Sequence, residues 1–454
     1  MGHVEVPASA YYGASTQRAK DNFPISGLRF SRRFIWALGL IKGSTATIAG
    51  RRGALAADKA QAIEKAATDV MNGELDEHFV LDIFQTGSGT STNTNANEVI
   101  SHRANELLTG DREANLIHAN DDVNYGQSSN DVIPSAIHVS AVAGIRQGLI
   151  PALLRLSAAL EARAQLFGDV VKSGRTHLMD ATPVTLGQEF SGYAAQVRNG
   201  IARIDKVLPE LEELALGGTA VGTGLNAPEG FAAEVIALMS ERSGLQFREA
   251  SNHFEAQGGK DASVMASGAL KTLAVSLFKI ANDIRWLGSG PAAGIAEIRI
   301  PDLQPGSSIL PGKVNPVMSE MLMMVAANVF GNDATITWAA ANGNFELNVM
   351  MPVIAHNLDQ AIALLASASS VFAEKCVDGI EANVERCREL VEKNVTIVTA
   401  LNPHIGYDNG AKVAKEALAT GKSVREVVLE HGLMSEEELD RALDLKRMTE
   451  GGIL

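Results

Sequence analysis

The stretch ALKTLAVSLFKIANDIRWL, residues 269–287, limits the fold more than any other feature of the chain. Leu270, Leu273, Leu277, Ile280, Ile284 and Leu287 recur at alternating steps of three and four, which lines them up along one helix face as a bundle seam. Ala269, Ala274 and Ala281 leave room for close neighbours. Two further segments have the same character. Residues 141–167 are rich in Leu and Ala, with Pro151 as the one expected kink. Residues 319–342 open with Met321, Leu322, Met323, Met324 and Val325, apolar on nearly every face. Such a helix has to be covered on all sides. Several of them in one chain predict an all-α architecture around a large bundle core that copies of the chain can share.

A length of 454 residues exceeds one simple core. The pattern suggests a mixed, mainly helical part over 1–125, a central long-helix part over 126–354 and a more polar helical part over 355–454. In the last, Ser423 to Glu426 and Ser435 to Glu438 have capping-box spacing. A net charge of −14 argues against a general nucleic-acid partner, and an anionic substrate would then need a locally positive pocket. No uninterrupted apolar run reaches the roughly 18–20 residues of a membrane span, and the N-terminus lacks the pattern of a signal peptide. Cys376 and Cys387, expected on one helix and too far apart along it to bridge, point to a reducing, cytoplasmic setting. No cysteine–histidine cluster has zinc spacing, and no metal or cofactor is expected.

Four segments break the apolar rhythm. QTGSGTSTNTNANEVI (85–100) offers Ser88, Gly89 and Thr90 among many amides and hydroxyls. IHANDDVNYGQSSNDVIPS (117–135) contains Ser128, Ser129, Asn130 and Asp131, a helix start whose free N–H groups favour a carboxylate. SGRTHLMDATPVTLGQEF (173–190) groups Arg175, Thr176 and His177. GSSILPGKVNP (306–316) carries Ser307, Ser308, Lys313, Val314 and Asn315 between prolines and glycines. Taken singly, such clusters are ordinarily loops and caps, and a lone histidine is ordinarily structural. Neither a dinucleotide fingerprint nor a Walker loop fits the glycine spacing. Together the four supply hydroxyls, amides, a histidine and a lysine but few carboxylates, an inventory for a small carboxylate-bearing substrate. Glu320, seven residues after Lys313, could share a helix face with it and polarise His177 as a general base.

GSSILPGKVNP closely resembles the signature of the fumarase/aspartase superfamily, with Leu310 where methionine is common. TGSGTSTNTNANEVI, HANDDVNYGQSSND, GRTHLMDATPVTLGQEF and GGTAVGTGLN (217–226) match in the same order, so the resemblance covers the whole chain. Within the superfamily the chain is most similar to class II fumarate hydratases, through QSSND and through Gly312. It departs at Ser91-Thr92, at SGPAAGIAEI (289–298) and at Ala119.

The resemblance implies a three-domain, all-α subunit in a homotetramer around a central bundle, with each active site built by three subunits. The implied reaction is reversible anti addition of water to fumarate, giving L-malate through an aci-carboxylate. Ser307 is the implied base, and His177, oriented by Glu320, handles the water. Ser88, Gly89, Thr90, Ser128, Ser129, Asn130, Thr176, Ser308, Lys313, Val314 and Asn315 are implied to bind the substrate. His118, Ala119, Asn120 and Asp121 match a second, non-catalytic dicarboxylate site. Aspartate ammonia-lyase, against which Ser129 speaks, and a non-catalytic structural relative are the alternatives.

Overall fold

A computed structural model describes residues 2–453. Nearly every long element is a helix, and β-structure is confined to two-stranded pairings. The seam forms as its spacing predicts. Leu270, Leu273, Leu277, Ile280, Ile284 and Leu287 are all buried on the helix Asp261–Leu287. The helices Ser129–Gly144 and Ile150–Leu166 are joined by a wider π turn, Ile145–Leu149. Pro151 brings no N–H to the ladder, and the turn before it is where the helix has changed its hydrogen-bond spacing.

The chain forms two compact units, each assembled from three separate stretches. The first comprises residues up to Pro151, Gly200–Val275 and Val325–Ser367. Its helix Arg32–Arg51 is capped by Ser31 and packs against Ala57–Asn72, Ser129–Gly144 and Phe231–Ser243. The second comprises Ala152–Asn199, Ser276–Met324 and Ala368–Leu454. It holds a β-hairpin, Val171–Thr176 with Met179–Thr185, and a small helical core formed by Leu401, Val413, Val427, Val428 and Leu439. Both capping boxes, at Ser423 and Ser435, are present in that region.

Two expectations fail. Cys376 and Cys387 are not on one helix. The helix Met351–Lys375 stops before Cys376, because Glu381–Ala382 is drawn out to pair with Ile298–Arg299, and a new helix, Val384–Glu392, carries Cys387. Burial pushes both thiols up to about 12, so neither is reactive. Lys313 and Glu320 do not share a helix face either. The helix begins only at Val317, after Pro316, and Lys313 stays in the preceding loop.

Candidate active site

In the first unit two helix starts converge. Thr90–Thr109 begins after Gly89, and Ser129–Gly144 begins after Ser128. Thr90 Oγ1 lies 2.7 Å from Ser88 Oγ and 2.7 Å from Ser129 Oγ. Residues from two separate sequence segments thus form one continuous row of hydroxyls. Two helix N-termini meet there, which gives the place a positive potential for a carboxylate, although the N–H groups of Thr90, Thr92 and Asn130 are already taken by the side chains of Ser88, Gln85 and Ser128. The approach depends on Gly87, where a Cβ would lie 1.8 Å from the carbonyl oxygen of Val349. The Gly87 carbonyl also accepts from Met351 N at 3.0 Å, which fixes the loop.

The second helix start is pinned from behind. Ser128 and Asp131 form a reciprocal capping box. Asp131 is fully buried, and its second oxygen accepts from Gly217 N at 3.1 Å and Thr219 N at 2.9 Å. Asn130 Nδ2 donates to the Ala220 carbonyl at 2.8 Å. The GGTAVGTGLN segment is therefore a buttress for the SSND turn. Below it sits Lys42, fully buried, donating to Asn124 Oδ1 at 2.7 Å. Burial lowers Lys42 to about 7, against the pull of Asp131, and burial raises Asp131 to about 6, against the N–H groups bonded to it. Asn124 in turn donates to the Gln127 carbonyl at 3.0 Å, one residue before the cap.

In the second unit His177 stands at the exposed tip of the hairpin, beside Thr176. His177 and Leu178 both have positive φ, 56° and 61°, the mirror-image turn that a two-residue hairpin demands and that non-glycine residues adopt at a cost. Arg175 anchors this tip by donating from its two terminal guanidinium nitrogens, Nη1 and Nη2, to the two oxygens of Glu297, each at 2.9 Å.

The Gly306–Pro316 loop closes on itself. Gly306 N donates to the Lys313 carbonyl at 2.8 Å, and Asn315 Nδ2 donates to the Gly306 carbonyl at 2.7 Å. A Cβ at Gly306 would meet the Lys313 carbonyl at 2.5 Å. Inside the loop Ser307 Oγ accepts from Ile309 N at 3.2 Å and Leu310 N at 3.1 Å. Two donors aimed at one hydroxyl oxygen favour its ionised form. Ser307, Leu310, Gly312, Lys313 and Val314 line a cleft of about 440 Å³. Ile309, at the tip, is 83% exposed. Glu320 lies exposed in the first turn of the following helix. No hydrogen bond joins it to His177 among the described residues.

A family model for lyases matches residues 2–331, and one for the fumarase C C-terminus matches residues 397–450. The chain is 54% identical over 453 residues to a protein of Mycobacterium tuberculosis named fumarate hydratase class II, covering 99% of this chain and 94% of that one. A Neisseria meningitidis protein of the same name is 54% identical over 441 residues, covering 97% and 96%. The chain belongs to the class II fumarase family. Among solved structures, recombinant class II fumarase from Schistosoma mansoni superposes with a TM-score of 0.96 at 39% identity, covering 98% of this chain and 97% of that one. A fumarate lyase:delta crystallin from Brucella melitensis gives 0.93 at 45%, with the same coverages.

Against this family background the sequence-predicted residues fall into three groups. Ser88, Gly89, Thr90, Ser128, Ser129 and Asn130 are together in the first unit. Thr176, His177, Ser307, Ser308, Lys313, Val314, Asn315 and Glu320 belong to the second. His118, Ala119, Asn120 and Asp121 form a third group, the start of a π turn, Ala119–Val123. There His118 Nδ1 accepts from Asp121 N at 3.2 Å, and Asp122 accepts from His118 N at 2.7 Å and Lys59 Nζ at 3.1 Å. Sequence reasoning missed Lys42, Asn124 and Glu297. Lys42 does leave a trace, as the one charge in the otherwise uncharged run WALGLIKGSTATIAG.

Proposed function

We propose that this protein is a fumarate hydratase, interconverting fumarate plus water and L-malate without a metal. The observation that carries the reading is Ser307, whose Oγ already accepts two backbone N–H groups inside a glycine-closed loop. A serine can abstract a carbon-bound proton only as an alkoxide, and those donors with the nearby Lys313 ammonium favour the alkoxide. Ser307 takes the proton from the carbon next to the carboxylate. The charge moves onto that carboxylate, where Lys313 and Asn315 hold it as the aci-carboxylate forms. His177, oriented by Glu320 in the assembled enzyme, gives a proton to the departing hydroxyl and reclaims it from water in the reverse direction. Ser88, Thr90, Ser129 and the helix N–H groups around them hold the other carboxylate, with Thr176 and Ser308 completing the contacts. His118 to Asp121 would form a separate dicarboxylate site.

The working form is a homotetramer in which three subunits build each site. Support comes from the helix Val317–Ala340, whose exposed side in the lone chain carries Met324, Ala327, Gly331, Ala334 and Trp338 at helical steps. Trp338 is 77% exposed and Met324 67%, surface that a lone soluble chain would not leave bare. Two free buried cysteines fit a cytoplasmic enzyme. The relatives' name favours water over ammonia as the leaving group. The test is a paired absorbance assay without added metal. Fumarate should appear from L-malate and not from L-aspartate; the opposite result overturns the reading.

A further inference from the structure

Behind the His177 hairpin lies a cluster of four charges, two of them fully buried and two partly so. Lys172 and Glu297 are fully buried. Glu297 accepts from Arg175 through both oxygens at 2.9 Å, and its Oε2 is 3.1 Å from Lys172 Nζ. Lys172 also donates to Glu189 Oε1 at 2.8 Å. Two cations and two anions balance. A cluster like this adds little stability, because apolar residues of similar volume would do as well or better. What it supplies is geometry, since a bidentate guanidinium–carboxylate pair fixes distance and plane together.

The two partners sit where geometry matters. Arg175 is two residues before His177 on the first hairpin strand. Glu297 is nine residues before Gly306, at the root of the segment that becomes the Ser307 loop. The backbone of Glu297 is itself held, donating to the Leu287 carbonyl at 2.9 Å and accepting from Asn383 N at 2.8 Å. We propose that Arg175 and Glu297 are a positioning pair for the reaction, fixing the base of the hairpin that carries Thr176 and His177. Neither touches substrate. The inference rests on the fumarate hydratase reading, and places Arg175 upstream of His177 in effect.

The test is a cycle of four enzymes: parent, Arg175→Lys, His177→Asn and the double variant, each confirmed as the parent's oligomer by gel filtration. Lysine keeps the charge but loses the fork. Expected is a kcat for L-malate lowered ~10- to 100-fold in Arg175→Lys, the scale of a misplacement of roughly 1 Å, with KM changed less than about three-fold. In the His177→Asn background the same change should cost less than about two-fold, because the group being positioned is already gone. Equal losses in both backgrounds would mean a merely structural role and overturn the inference. So would a kcat of Arg175→Lys close to the parent's. Should Arg175→Lys fail to assemble, Glu297→Gln, which keeps the shape, takes its place in the same cycle with the same expected losses and the same overturning result. A parent enzyme silent on L-malate would overturn the underlying reading first, and is seen before any variant is measured.

Discussion

Replacing Ser307 by alanine removes one oxygen and leaves the loop intact. The loop is closed by Gly306, Lys313 and Asn315, none of which bonds to Ser307 Oγ, so the substitution frees only the N–H groups of Ile309 and Leu310 on an exposed loop. Their distances, 3.2 and 3.1 Å, are at the long end for N–H···O, so each donor is worth the lower end of the range for a charged acceptor, about 1.5 kcal/mol. Two of them stabilise the alkoxide by about 3 kcal/mol, or roughly two pKa units, before Lys313 adds its charge. A general base contributes ~10²- to 10⁴-fold to rate, and Ser307→Ala should lose that much kcat. KM should move less than about three-fold, because the carboxylate contacts at Ser88, Thr90 and Ser129 are untouched. The assay is fumarate absorbance with L-malate, on protein shown by gel filtration to have the parent's size. A variant keeping more than about a tenth of the parental kcat would show that another group takes the proton.

Gly87→Ala would drive a methyl group into the Val349 carbonyl, 1.8 Å away, and should cost ~1–3 kcal/mol or more, seen as a lower Tm together with a raised KM for L-malate. Lys42→Met tests the buried lysine. Lys42 is lowered by burial from 10.5 to about 7, so between those values the folded state binds fewer protons than the unfolded one and stability from this group rises with pH. The parent should therefore gain Tm relative to Lys42→Met between pH 7 and pH 9, and equal slopes would refute the assignment. Trp338→Glu places a charge on the exposed apolar stripe and should yield a smaller, inactive species by light scattering. A fully assembled, active Trp338→Glu would remove that stripe from the subunit contact.

Local patterns were legible wherever a short-range rule decides the outcome. The 269–287 seam follows from helical period alone, and the starts at Ser128, Ser423 and Ser435 follow from side chains three residues apart. The hairpin under His177 was not legible. Its strands do not alternate, Pro183 sits in one of them, and a register shift falls between Ser173 and Gly174, so no period of two survives. The shared helix expected for Cys376 and Cys387 failed for a related reason, since the break is imposed by a distant strand, Ile298–Arg299. Glu297 is not legible because nothing in its neighbours along the chain reveals burial, and Lys42 shows only as a lone charge in an uncharged run, with no sign of what it bonds. Their roles come from partners at Asn124 and Arg175, more than eighty residues away in each case.

The division of the chain into interleaved stretches has a consequence for how the protein is made. The first unit takes its last stretch from residues as late as Ser367, while the second takes its first from Ala152. A ribosome has therefore released most of the polypeptide before either unit has all its pieces. Until then the cores around the 269–287 seam stay incomplete, in a chain whose synthesis takes tens of seconds at ordinary rates. Neither unit can be obtained by trimming the chain from one end, and a message interrupted midway leaves a product with two unfinished cores rather than one finished domain.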